Sequence, residues 1–137
     1  MQAYIEATSR RSERDRMADV KTVSGAFTGA YAAHPLTGEP VPVWIGDYVL
    51  AGYGTGAVMS VPCGDQRDYD FAKHFELPIP NIFEGVSLEE GAYEEKDGVV
   101  IAQSGFISGL GREAATRKGV DALEEKGLGR GTINYRL

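Results

Sequence analysis

Cysteine is nearly absent from this chain of 137 residues, where Cys63 stands alone. A single thiol excludes an internal disulfide framework. With only two histidines, His34 and His74, the chain is also too poor in Cys and His for a zinc site of that type, so no metal is expected. A reducing, cytoplasmic setting is the simplest reading of such cysteine usage. No stretch approaches the roughly 20 consecutive apolar residues that cross a bilayer, so no membrane partner is expected. The opening Met1-Gln2-Ala3-Tyr4-Ile5-Glu6 lacks the basic start and apolar run of a secretory leader. Positive charge is scarce as well: 14 Lys and Arg stand against 20 Asp and Glu, for a net charge of -6. That balance argues against a free-standing nucleic-acid binder, because affinity for phosphates comes mainly from Lys and Arg. The basic residues gather near the start, at Arg10, Arg11, Arg14, Arg16 and Lys21, and alternate with Glu13, Asp15 and Asp19. This alternation describes a solvated helix face with mixed charge pairs. A nucleic-acid partner would have to be gripped mostly by other parts of a larger protein.

What is present is ordinary for one compact globular domain, with 42% hydrophobic and 25% charged residues. Residues 2 to 19 hold good helix formers and no Gly or Pro, which predicts a helix ending before Lys21. From Val23 to Pro62 glycine and β-formers dominate. Strands are expected at Phe27 to Ala33, Val41 to Ile45, Tyr48 to Leu50 and Gly56 to Val61, with a turn over Pro35 to Glu39. Short strands so spaced predict a barrel or sandwich. Asp65 begins a helix as its N-cap, with Asp68 in the first turn. Phe71, Ala72 and Phe75 give that helix an apolar stripe, and Pro78 and Pro80 stop it. Residues 86 to 104 read as a peripheral acidic segment with an Asp97-Gly98 hairpin before Val99-Val100-Ile101. Ser108 to Lys126 reads as a last helix closed by Gly127, and Gly131 to Leu137 as a return strand.

Two features invite a chemical reading. Gly52-Tyr53-Gly54-Thr55-Gly56-Ala57 fits G-x-G-x-x-A, but the following Val58-Met59-Ser60-Val61-Pro62 leaves no helix to receive a phosphate, so a dinucleotide loop is disfavoured. A tight bend between strands, or a bend that lets a substrate approach the backbone, remains. Downstream, Asp65-Gln66-Arg67-Asp68 sets two carboxylates on one face of a helix mouth. Such a pair can receive an ammonium group, but taken alone it is more simply read as capping the helix. Met59 and Val61 fit a pocket wall or an ordinary strand core. Trp44 fits a core anchor, His34 and His74 fit turn or surface positions, and Cys63 fits a small filler rather than a nucleophile.

The longer string is more specific. Val43-Trp44-Ile45-Gly46-Asp47-Tyr48-Val49-Leu50 runs into Gly52-Tyr53-Gly54-Thr55-Gly56-Ala57-Val58-Met59-Ser60-Val61-Pro62 and on to Asp65-Gln66-Arg67-Asp68-Tyr69-Asp70-Phe71-Ala72. It closely resembles the editing insertion of bacterial leucyl-tRNA synthetases. Asp15-Arg16-Met17-Ala18-Asp19, Phe27-Thr28-Gly29-Ala30-Tyr31-Ala32, His34-Pro35-Leu36-Thr37-Gly38-Glu39 and Ile133-Asn134-Tyr135-Arg136-Leu137 extend the likeness over nearly the whole chain. One departure is local: the family commonly has His before the first Asp, and Gly64 stands here.

The resemblance implies an α+β, mainly β, barrel-like editing domain of the valyl/isoleucyl/leucyl type with flanking helices. On that reading residues 1–20 form a leading helix, 21–85 a barrel core with the substrate-site helix, and 86–137 a peripheral hairpin, helix and return strand. The implied activity is hydrolysis of mischarged leucine tRNA within an ATP-dependent leucine–tRNA ligase. A second sieve of this kind is needed because apolar pockets separate side chains differing by one methylene by only about 1–3 kcal/mol. Asp68 is implied as the α-ammonium anchor, with Asp65 and Arg67 shaping the helix mouth and water network. Tyr53, Met59 and Val61 line the implied pocket, and Gly54, Thr55 and Gly56 lie against the terminal nucleotide. The implied partners are the tRNA 3′ end carrying a noncognate amino acid and the rest of the synthetase chain. No cofactor is implied for this part, since ATP and magnesium serve the synthetic core. The family's T-x-R-P-D-T segment, which forms the second wall of the site, is absent, as are the H-I-G-H and K-M-S-K-S motifs. The chain alone is therefore expected to be weakly active or inactive, with an exposed sheet edge that favours self-association. The alternatives are an isoleucyl or valyl editing domain and a non-catalytic β-rich interaction module.

Overall fold

A computed structural model describes residues 1–18 and 22–135. The leading segment forms two helices, α1 (Gln2–Ser9) and α2 (Glu13–Ala18). The single expected helix breaks because Ser12 caps a new one. Its hydroxyl accepts from the Asp15 N–H (3.1 Å) and donates to Asp15 Oδ2 (2.6 Å), while the Ser12 N–H reaches the same oxygen (3.3 Å). This reciprocal box satisfies two donors that α2 would otherwise leave open. Hydrogen bonds from Ser12 hold the Asp15 carboxyl below its ordinary range. The expected end of the helix, at Asp19 to Lys21, lies outside the described residues.

Strands β1 (Gly25–Ala33) and β2 (Pro40–Gly46) pair antiparallel, with Gly25 opposite Gly46 and Ala33 opposite Pro40. The register slips between Phe27 and Tyr31, where the Thr28 hydroxyl donates to the Val43 carbonyl at 2.7 Å. The expected Pro35–Glu39 turn closes through the His34 N–H to Glu39 O and the Gly38 N–H to His34 O, both 2.8 Å. His34 is a turn residue whose Nδ1 accepts the Leu36 and Thr37 N–H groups at 3.1 and 3.3 Å.

These two strands are the only sheet among the described residues, so the expected barrel-like sheet is not seen. Tyr48 to Leu50 and Gly56 to Val61 form turns and coil. Their apolar side chains have no third strand to pair with, and a sheet needs partners as well as propensity. The Asp97-Gly98 hairpin is also absent. Val100 instead bridges Gly111, and Ile101 bridges Phe83. Residues 131–135 are not strand, and Arg136 and Leu137 lie outside the described residues. Helix outweighs strand, which corrects the mainly-β expectation to plain α+β.

Helix α3 (Gln66–His74) lies across the β1–β2 hairpin and α4 (Arg112–Glu125) closes the chain. The packing between α3 and the hairpin is aromatic. The Phe71 ring lies 5.7 Å from Trp44, 5.5 Å from Tyr48 and 4.7 Å from Phe75, while Trp44 also meets Phe27 at 5.4 Å. Gly25 permits this approach, since a Cβ there would sit 2.5 Å from Phe71 Cε2 and 2.8 Å from the Ile45 carbonyl oxygen. Trp44 anchors the core as expected, and Cys63 is a buried filler.

Helix α4 starts at Arg112, later than the expected Ser108, because Gly105–Ile107 forms a separate 3₁₀ turn. Gly127 closes it as expected, with its N–H on Glu124 O and that of Leu128 on Leu123 O. Helix α3 ends in the same hydrogen-bond pattern, but Glu76 takes the left-handed position with φ 54°. Because this conformation costs an L-residue about 1–2 kcal/mol, Glu76→Gly is expected to stabilise the chain, by about 0.5–1 kcal/mol after the added entropy of the unfolded state. Urea unfolding of the two proteins checks this, and a destabilised variant would mean that Glu76 makes a compensating contact.

Candidate functional site

The mouth of α3 is built as the sequence predicts and then extended by contacts the sequence does not mark. Asp65 is the N-cap, in extended conformation, and its Oδ1 accepts the Asp68 N–H at 3.0 Å. Capping is therefore real, yet it occupies Asp65 and leaves the Asp68 side chain to turn elsewhere. Asp68 Oδ2 accepts the Val61 N–H at 2.8 Å, and Oδ1 accepts the Tyr48 hydroxyl at 2.6 Å. The carboxylate thus faces the end of the glycine-rich segment and is half-buried rather than sealed in the core. A carboxylate has about four acceptor positions, so these two donors leave room for a cationic ligand.

Residues 51–61 are exposed throughout, including Tyr53 (54%), Met59 (60%) and Val61 (45%). Such exposure removes the strand-core reading of Met59 and Val61. The segment turns on itself, with the Tyr53 N–H on Leu50 O at 3.1 Å and the Gly56 N–H on Tyr53 O at 3.0 Å. Gly54 and Gly56 hold φ 58° and 88°, a region where a side chain would be strained. No helix follows the segment until Gln66, so the geometry of a dinucleotide loop is absent. Val61 joins the acidic turn directly, its carbonyl oxygen accepting the Gly64 and Asp65 N–H groups at 3.0 and 2.9 Å. No hydrogen bond among the described residues ties Tyr53, Gly54, Thr55, Gly56 or Met59 to Asp68. Arg67 stands over the Tyr48 ring at 5.6 Å, on the side of a small cleft of about 30 Å³ lined also by Ser24, Asp47, Asp70 and Phe71.

Tyr48 is the site residue that sequence reasoning missed. It reads as one more β-former, and its partner lies 20 positions away, so no local spacing announces the pair. Burial raises its phenol pKa above the ordinary value, and the hydrogen bond to Asp68 adds to the shift. Residues 88–94, which the sequence marks only as peripheral, also reach the site helix. Glu94 Oε1 accepts the Gln66 N–H at 3.2 Å, placing a carboxylate at the α3 N-terminus, where it complements the helix dipole. Gln66 Oε1 accepts the Ala92 N–H at 3.1 Å, the Tyr69 hydroxyl donates to Leu88 O at 2.7 Å, and the Tyr93 N–H reaches Cys63 O at 2.8 Å. Those bonds clamp residues 88–94 onto α3. At Gly64, a Cβ would meet Phe83 Cζ at 3.4 Å, so a side chain is sterically admissible there.

The opposite flank is tied to the leading helices. The Tyr4 hydroxyl accepts the Asp47 N–H at 2.7 Å and donates to Ser24 O at 3.1 Å, and Arg11 pairs with buried Asp47 at 2.6 Å. Asp47 is adjacent to Tyr48, so α1 braces the backbone that presents the phenol to Asp68. Among the described residues no three His, Cys, Asp or Glu side chains converge in a way that could hold a metal ion. Among the described residues no helix is long and apolar enough to cross a membrane.

The family described as "Leucyl-tRNA synthetase, editing domain" matches residues 1–124. The leucine–tRNA ligase of Christiangramia forsetii is 67% identical over the whole chain, and that of Flavobacterium johnsoniae is 61% identical over the whole chain. The ligase of Amoebophilus asiaticus is 52% identical over 98% of the chain. The chain spans about 14–15% of the length of these relatives. The leucyl match also separates it from the isoleucyl and valyl alternatives and from an unrelated interaction module. A family match across nine-tenths of the residues leads to one assignment: the chain belongs to the leucyl-tRNA synthetase editing-domain family.

Proposed function

We propose that this chain supplies the amino-group side of a proofreading site that hydrolyses mischarged leucine tRNA within a leucine–tRNA ligase. The observation that carries the reading is the Asp68 carboxylate, half-buried and fixed between Tyr48 and Val61 beside an exposed apolar wall. A charge held at that point suits the α-ammonium group of an aminoacyl ester. Asp65 and Arg67 shape the mouth around it. Tyr53, Met59 and Val61 offer apolar surface to the amino-acid side chain and the terminal adenosine, and the Gly54-Thr55-Gly56 backbone is open enough for the nucleotide to lie against it. The reaction is attack by an oriented water on the ester, with the protein contributing position and electrostatics. ATP and magnesium belong to the charging reaction elsewhere in the longer, cytoplasmic protein, as does most of the grip on tRNA. Deacylation of mischarged leucine tRNA by the full-length ligase, with and without Asp68→Ala, tests the role. Unimpaired clearance by the variant would overturn it.

The barrel is completed by other parts of that longer chain. In their absence β1 and β2 leave unpaired edges, and Phe27, Tyr31 and Val43 are partly exposed on the hairpin. Open edges of this kind template pairing between chains. The isolated chain is therefore expected to self-associate with rising concentration. Light scattering checks this, and a constant monomer mass would contradict it.

A further inference from the structure

We infer that Tyr48 is a positioning residue for substrate binding, its hydroxyl fixing the Asp68 carboxylate in the orientation that receives the ammonium group. This inference rests on the function proposed above and adds a residue to it. Three observations meet at the phenol. Its hydroxyl donates to Asp68 Oδ1 at 2.6 Å. Its ring is held between Phe71, at 5.5 Å, and the Arg67 guanidinium, at 5.6 Å. Its backbone follows Asp47, which Tyr4 and Arg11 anchor. The donor is therefore held by contacts at its hydroxyl, its ring and its backbone.

Asp68 needs such a donor. A carboxylate on one methylene can swing about two torsions, and a swing breaks the alignment on which a charge-assisted hydrogen bond depends. The Val61 N–H fixes one oxygen and the Tyr48 hydroxyl fixes the other. The remaining lone pairs are then set before substrate arrives, so the ordering cost is not taken from binding. The phenol suits this task because it donates without adding charge. Burial raises its pKa, so the hydroxyl stays a neutral donor near physiological pH.

The test is Tyr48→Phe in the full-length ligase, made alone and together with Asp68→Ala. Phenylalanine keeps the ring against Phe71 and Arg67 and removes only the hydroxyl. The readout is hydrolysis of mischarged leucine tRNA with a free α-amine, beside the same ester with its α-amine acetylated. Tyr48→Phe alone is expected to lower kcat/KM for the free amine by about 5- to 10-fold, mainly through KM, as for loss of one ordinary hydrogen bond, because the hydroxyl acts on the substrate only through Asp68. It should leave the acetylated ester unchanged and have no further effect in the Asp68→Ala background. An equal fall on both esters, a full effect without Asp68, or no fall at all overturns the inference. If Asp68→Ala impairs hydrolysis and Tyr48→Phe does not, only the positioning role fails. If Asp68→Ala itself is silent, the parent reading fails with it.

Discussion

Full-length ligase carrying Asp68→Ala is expected to clear mischarged leucine tRNA roughly 30- to 150-fold less efficiently than the wild type, measured as kcat/KM. The estimate follows from the loss of one partner of a charge-assisted pair, about 2–5 kcal/mol, at 1.36 kcal/mol per decade. The lower part of that range applies because Asp68 is half-buried and partly screened by solvent. Alanine also frees the Val61 N–H and the Tyr48 hydroxyl, so some of the loss is distortion of the apolar wall. Asp68→Asn separates the two effects. Its amide oxygen can still accept from Val61 and its size is unchanged, yet the charge is gone. A defect nearly as large in Asp68→Asn assigns the loss to charge, whereas near-normal rates in that variant would assign it to the wall. Aminoacylation itself should be unaffected in either variant.

The largest expected effect on stability belongs to Phe71. Phe71→Ala in the isolated chain is expected to cost about 3–5 kcal/mol, the usual range for deleting a buried phenyl ring. Phe71 is 7% exposed and touches Trp44, Tyr48 and Phe75, so its loss removes the common member of the cluster between α3 and the hairpin. Gly25 and Gly46 face the ring from the strands and have no side chains with which to fill the gap. Domains of this size hold only about 5–15 kcal/mol in total, so the variant should unfold at a much lower urea concentration. A cost below about 1 kcal/mol would show that the ring cluster is not the core.

What the sequence revealed, and what it hid, divides by range. Asp65 as N-cap, Asp68 in the first turn, the Phe71–Ala72–Phe75 stripe and the Pro35–Glu39 turn are local patterns, and all are present. The Ser12–Asp15 box is local too and could have been read, since Ser-x-x-Asp announces a helix start even inside a helix-rich stretch. The barrel was overread because Tyr48 to Leu50 and Gly56 to Val61 have strand-forming residues but no neighbour here to pair with. Tyr48 to Asp68 and Gln66 to Glu94 span 20 and 28 positions, and no periodicity encodes such contacts. The two carboxylates of the acidic turn were both legible, but their division of labour was not. Capping and ligand binding compete only while one residue is considered for both, and in the fold Asp65 takes the cap while Asp68 faces Val61.

The most direct measurement compares how wild type and Asp68→Asn discriminate between mischarged leucine tRNA with a free amine and the same ester acetylated on nitrogen. The account predicts a strong preference for the free amine in the wild type that collapses toward unity in the variant. A preference that survives removal of the charge would place the amine-binding group elsewhere.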